Sequence, residues 1–214
     1  MAMKKSKLLT LGLLAGAGLL LSINQAQAAD TWVKNGADWN LSQDGSLAKN
    51  KWVQNAGSWY HFDSTGKMQT GWLKEGNTWY SLADSGAMRT GWYKEGNTWY
   101  SLANSGAMRT GWYKEGNTWY SLANSGAMRT GWYKEGNTWY YLHFSGSMMT
   151  GWECINGDWY YFEQSGAMLK DQLTPDGYRV DKDGVWRVAV ETTTTTTTTT
   201  VTTTSQEAPR ENTE

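Results

Sequence analysis

A 20-residue period governs this chain. Gly-Trp recurs at Gly71-Trp72, Gly91-Trp92, Gly111-Trp112, Gly131-Trp132 and Gly151-Trp152, and degenerates to Thr31-Trp32 and Lys51-Trp52. Seven residues after each of these Trp stands another: Trp39, Trp59, Trp79, Trp99, Trp119, Trp139 and Trp159. Two positions of one unit thus account for 14 of the 15 Trp. Met68, Met88, Met108, Met128, Met148 and Met168 close six units, and the central copies read TGWYKEGNTWYSLANSGAMR. The register is read from Thr31 to about Val190 without insertion or deletion, as units 1 to 8; the eighth, from Asp171, has lost the pattern. A unit this short cannot bury a core alone, so neighbours must stack.

Within unit 4, aromatic-rich runs from Gly91 to Lys94 and Thr98 to Leu102 flank Glu95-Gly96-Asn97. That pattern predicts a β-hairpin, with Gly96 supplying the positive φ of a tight turn. Ala103-Asn104-Ser105-Gly106 is a second turn leading to the next unit. Strand alternation places Trp99 and Ser101 on one face and Tyr100 and Leu102 on the other. The expectation is that Tyr93, Tyr100 and Leu102 pack between repeats while Trp92 and Trp99 face a groove between hairpins. An isolated hairpin is marginal in water, so the fold class is an all-β β-solenoid of stacked hairpins. Terminal units should differ as caps, and Asn40 stands where the others have Tyr.

Charge and flanking segments narrow the function. Nineteen basic against 20 acidic side chains give a net charge of −1, which argues against a nucleic-acid partner. One Cys excludes an internal disulfide framework. Residues 1–28 read as a signal peptide: Lys4, Lys5 and Lys7, an apolar run from Leu8 to Ile23, and a cleavage site ending at Ala28. The apolar run is short for a span, so no membrane span is expected after cleavage. Residues 29–190 form the solenoid and 191–214 a Thr-rich tail expected to be disordered or extended. With no sorting motif of the LPxTG kind read in the sequence, retention at the envelope is expected to be non-covalent.

The paired Trp columns carry the chemistry. Indole faces around a small void make an electron-rich box suited to a quaternary ammonium, which donates no hydrogen bonds but is attracted by ring quadrupoles. The alternative is that both columns are simply the core, since Leu, Ile and Val are scarce beyond the leader. His61 and His143 show no metal spacing, and no metal or cofactor is expected. Asp38, Asp44, Asp63 and Asp84 fall in turns of different repeats and offer no catalytic pair. Cys154 replaces a Lys of the repeat and reads as an incidental thiol or a dimer contact.

The unit G-W-x6-W-Y-x-L-x3-G-x-M-x-T resembles the choline-binding, or cell-wall-binding, repeat of Gram-positive surface proteins. The resemblance covers about 31 to 190 and implies a left-handed solenoid whose inter-repeat cages bind choline on teichoic and lipoteichoic acids, making the protein a secreted, non-enzymatic, wall-attached module. Carried over by position, it implies cages of Trp52, Trp59, Met68 and Trp72; Trp72, Trp79, Met88 and Trp92; Trp92, Trp99, Met108 and Trp112; Trp112, Trp119, Met128 and Trp132; and Trp132, Trp139, Met148 and Trp152. Each first Trp would then serve two cages. The junction at Trp32 and Trp39 would lack a Met, and the seventh would lose a wall to Gln172. Ser81, Ser101 and Ser121 replace a Tyr that Tyr141 and Tyr161 keep, which would open the central cages on one side. Related aromatic repeats bind glucans, so carbohydrate is the alternative ligand. The oligomeric state stays open, a choline-linked dimer being one arrangement compatible with the sequence.

Overall fold

The computed structural model describes residues 30–187, 190–195 and 198–203. The leader expected at 1–28 lies outside the described residues. Units 1 to 7 each form an antiparallel hairpin, joined in unit 1 by a third short strand, and each hairpin is a separate sheet. In unit 4, Gly91 pairs with Leu102, Trp92 with Ser101, Tyr93 with Tyr100, Lys94 with Trp99 and Glu95 with Thr98. Gly96-Asn97 is left as a two-residue loop, and Gly96 has φ +58°. Units 2 and 7 solve the same turn differently. Ala56-Gly57 and Asn156-Gly157 carry positive φ at both positions, the pattern of a type I′ turn.

This register gives each hairpin two unlike faces. Trp92, Lys94, Trp99 and Ser101 share one; Tyr93, Glu95, Tyr100 and Leu102 share the other. The first face of one unit meets the second face of the next. One backbone bond fixes each such junction: the Met108 N–H donates to Trp79 O at 2.8 Å, with counterparts from Met68, Met88, Met128, Met148 and Met168. Such repetition of one junction is the solenoid expected from the period.

Except at the last junction, where Trp152 is buried, the core is not made of tryptophan. Leu41, Phe62, Leu82, Leu102, Leu122, Leu142, Phe162 and Val180 form a single file, each at most 1% exposed. Trp39, Trp59, Trp79, Trp99 and Trp119 of the second column stay at the surface, Trp99 being 40% exposed. In the central units the exposed second column shows that the two Trp columns are not both core. Ser81, Ser101 and Ser121 are buried beside this file.

The eighth unit corrects the expected register. Val180 bridges Trp186 as Leu102 bridges Met108. The Trp186 N–H donates to Trp159 O, closing a span two residues shorter than that from Met168 to Trp139. Deletion within the first turn thus accounts for the lost pattern. Beyond it, Val190–Thr195 pairs antiparallel with Thr198–Thr203. β-branched Thr favours such extended backbone.

Candidate functional site

Open hollows lie where two hairpins face each other. At the junction of units 3 and 4, Trp72 and Trp79 meet Tyr100 and Met108 of the next unit around a hollow of about 360 Å³. Ser125, from unit 5, stands at its rim. Trp92, Trp99, Tyr120, Met128 and Ser145 repeat the arrangement one unit on, around about 290 Å³. Trp52, Trp59, Tyr80 and Met88 line about 370 Å³ with Asn104 and Ser105. Three consecutive units therefore build each hollow: two indoles from the first, a phenol and a thioether from the second, a polar turn from the third.

This grouping corrects the expected cages. The third ring is the Tyr of the following unit rather than its first Trp, and the Met belongs to that unit as well. Trp72 thus pairs with Met108 and not Met88, and each first Trp serves a single hollow. The two-faced hairpin explains the difference: Trp99 and Tyr100 point to opposite sides, so they serve neighbouring hollows. The first junction, expected to be incomplete, is complete: Trp32, Trp39, Tyr60 and Met68 enclose about 390 Å³, with Asp84 and Ser85 at the rim. The Tyr column directly after the second Trp was the signal available in sequence.

Ring geometry is uniform. Centroids of Trp72 and Tyr100 are 4.9 Å apart, Trp92 and Tyr120 4.9 Å, and Trp112 and Tyr140 4.8 Å. At the sixth junction Trp132 lies 6.0 Å from Trp139 and 4.8 Å from Tyr160. Tyr141 adds a further ring 5.2 Å from Trp132, where Ser81, Ser101 and Ser121 leave the equivalent indoles without one.

Two neighbours hold the walls. The Trp72 indole N–H donates to Glu95 Oε2 at 2.9 Å, and Trp52, Trp92 and Trp112 donate likewise to Glu75, Glu115 and Glu135. This Glu, which the sequence places at the tight turn, is a fixed acceptor. Hydrogen bonds from the Trp92 indole and the Tyr113 hydroxyl hold the Glu115 carboxyl below the usual carboxylate range. Met108 is pressed between its hollow and Gly126, where an added β-carbon would stand 2.2 Å from its sulfur. Gly126 also has φ +83°, so that column demands glycine for two reasons.

Cations of the chain itself already lie on these rings. Lys94 Nζ sits 5.7 Å from the Trp99 centroid, and Lys34, Lys74, Lys114 and Lys134 repeat the contact at 5.5–5.8 Å. Arg89 Cζ lies 4.1 Å over Tyr93, repeated by Arg109 and Arg129. Among the described residues no group of three His, Cys, Asp or Glu is placed to hold a metal. No helix among them is long and apolar enough to cross a membrane.

Family models for the choline-binding repeat match residues 49–90 and 151–186, and a cell wall binding repeat model matches 90–108, 110–128 and 130–148. The chain belongs to the choline-binding repeat family. Among solved structures, it is similar to CbpJ of Streptococcus pneumoniae, with 46% identity, a TM-score of 0.69, and coverage of 73% of this chain and 57% of that one. Choline binding protein F of Streptococcus pneumoniae, in the presence of a peptidoglycan analogue, gives 42% identity and a TM-score of 0.68 over 73% and 57%. The choline-binding domain of CbpL from the same species gives 27% identity and a TM-score of 0.53 over 73% and 96%. The chain therefore spans little more than half the length of the first two. No curated protein matches it.

Proposed function

We propose that this repeat protein binds choline through the hollows between successive hairpins, and so attaches to choline-bearing teichoic and lipoteichoic acids of the cell wall. The observation that carries the reading is the repeated hollow walled by two indoles, one phenol and one thioether, with hydroxyl or amide groups only at its rim. A trimethylammonium group needs apolar contact and ring faces, and has no use for hydrogen-bond acceptors inside the cage. Lys94 and its copies already place ammonium groups on the same Trp column. CbpF, a structural neighbour at 38% identity, is recorded in complex with ipratropium, itself a quaternary ammonium compound.

The binding residues in this reading are Trp32, Trp39, Tyr60 and Met68; Trp52, Trp59, Tyr80 and Met88; Trp72, Trp79, Tyr100 and Met108; Trp92, Trp99, Tyr120 and Met128. Trp112, Trp119, Tyr140 and Met148 follow, then Trp132, Trp139, Tyr160 and Met168. Three ring walls at about 0.5–1 kcal/mol each contribute about 1.5–3 kcal/mol, which corresponds to weak affinity of roughly 10–100 mM per hollow from the rings alone. Several hollows on one rod gain avidity for a polymer that carries choline at intervals. The chain acts here as a binding module and not a catalyst: the polar groups at the hollows are Ser, Asn and one Asp, with no acid–base pair facing a bond to be broken. The leader-like N-terminus and the family together support export and a wall location.

Retention on a tertiary amine resin tests the reading. Free choline should release the protein and dextran should not; release by dextran alone would assign the hollows to carbohydrate.

A further inference from the structure

Four of the junctions are backed by a group that stays outside the hollow. Glu75, Glu95, Glu115 and Glu135 accept the indole N–H of the preceding unit's first Trp at 2.7–2.9 Å, each through Oε2. The other oxygen of Glu95, Glu115 and Glu135 takes the hydroxyl of Tyr93, Tyr113 or Tyr133. One carboxylate therefore ties the Trp wall of one unit to a Tyr of the next, with its charge at the edge of the ring.

We propose that this carboxylate column is an affinity determinant for the cation, acting through the Trp wall as a positioning and charge-supplying residue. The inference rests on the choline reading above and deepens it. An anion hydrogen-bonded to the indole N–H polarises the ring toward its faces, where the cation sits. Its own charge, held at the ring edge, attracts that cation even through water-like dielectric. Neither effect uses space in the hollow, so the cage stays apolar inside and electronegative outside.

The chain contains its own comparison series. At the first junction the position is held by a neutral amide, and Trp32 donates to Asn55 Oδ1 at 3.2 Å. At the sixth it is Ile155, which offers Trp132 no side-chain acceptor. The second junction is compromised differently: Glu75 also faces His61 Nε2 at 3.8 Å, which draws on its charge when that imidazole is protonated. The carboxylate-backed junctions at Trp72, Trp92 and Trp112 should therefore fill first, and those at Trp32 and Trp132 last.

The test separates charge from scaffolding. Choline and its neutral isostere 3,3-dimethyl-1-butanol are titrated calorimetrically into the full chain and into the variant E75Q/E95Q/E115Q/E135Q, in which Gln keeps an acceptor for the indole but loses the charge. The expected result is choline affinity lowered about three- to tenfold, with affinity for the neutral alcohol unchanged. Equal losses for both ligands would reduce the carboxylate to a strut and overturn the proposal, as would no change for choline. A wild-type chain that takes up neither compound would overturn the choline reading itself. The single variant E115Q keeps the question answerable if the fourfold one misfolds. In a choline-soaked crystal, occupancy beside Trp92 should fall relative to that beside Trp72 in the same molecule; equal occupancy contradicts the proposal.

Discussion

The junction of units 4 and 5 and that of units 7 and 8 start from the same two indoles, yet the first is open and the second is shut. Trp92 and Trp99 face Tyr120 and Met128 across a hollow, and Trp99 is 40% exposed. Trp152 and Trp159 face Tyr178, but Trp186 stands where Met would, and Trp152 is only 4% exposed among Leu169, Val180 and Trp186. The backbone bond is the same, from Trp186 to Trp159 O, and so is the tie on the first indole, from Trp152 to Asp176 at 2.8 Å. The difference teaches that the Trp pair alone is neither site nor core. What the next unit brings decides: a slim, unbranched Met pressed back against glycine leaves room, whereas an indole fills it and caps the rod.

The largest effect that could break this comparison is on stability. Trp152→Ala should cost about 3–5 kcal/mol by opening a cavity in the cap, while Trp99→Ala should cost about 1–2 kcal/mol and remove one choline per chain. Chemical denaturation and calorimetric stoichiometry check both arms; equal destabilisation would erase the distinction between closed and open junctions. Glycine comes next. Gly126→Ala drives a β-carbon to 2.2 Å from Met108 sulfur at φ +83° and should cost about 2–4 kcal/mol while emptying the hollow at Trp72. Gly96→Ala meets nothing within 4 Å at φ +58° and should cost about 1 kcal/mol with every hollow intact.

Trp186→Met sharpens the contrast from the other side. It should convert the cap into a hollow, raising the bound choline count by one and making Trp152 fluorescence quenchable by acrylamide. An unchanged count would mean that the cap is closed by more than Trp186. The smallest effect is in pH. Because hydrogen bonds from Trp92 and Tyr113 lower the Glu115 carboxyl from its ordinary value, its stabilising contribution is complete above the ordinary Glu range. It is lost as pH falls through the lowered value. Melting temperature should therefore hold level at neutral pH and decline in acid, less steeply in E115Q.

Much of the fold could be read in advance because a hairpin is local. Trp92 and Ser101 on one side and Tyr100 and Leu102 on the other follow from strand alternation, and Gly96 from turn geometry. What escaped was the relation between units. A period says which residues are equivalent, not which copies touch, so it does not reveal that Met68 closes the hollow at Trp32 and Trp39 rather than one at Trp52 and Trp59. Strand alternation puts Tyr100 on the packing face, and that face also walls a hollow. Glu95 looked like turn chemistry because its partner, Trp72, is 23 residues away. The shortened eighth unit was hidden because its register is set by the Trp186 bond to Trp159 and not by any repeated letter.

Soaking a crystal of the chain with choline measures the central claim most directly. A trimethylammonium group should appear between Trp72 and Trp79 of one hairpin and Tyr100 and Met108 of the next, with copies along the rod and none beside Trp186. Ligand seated between Trp72, Trp79 and Trp92, or open hollows left unfilled at saturating choline, would contradict the account.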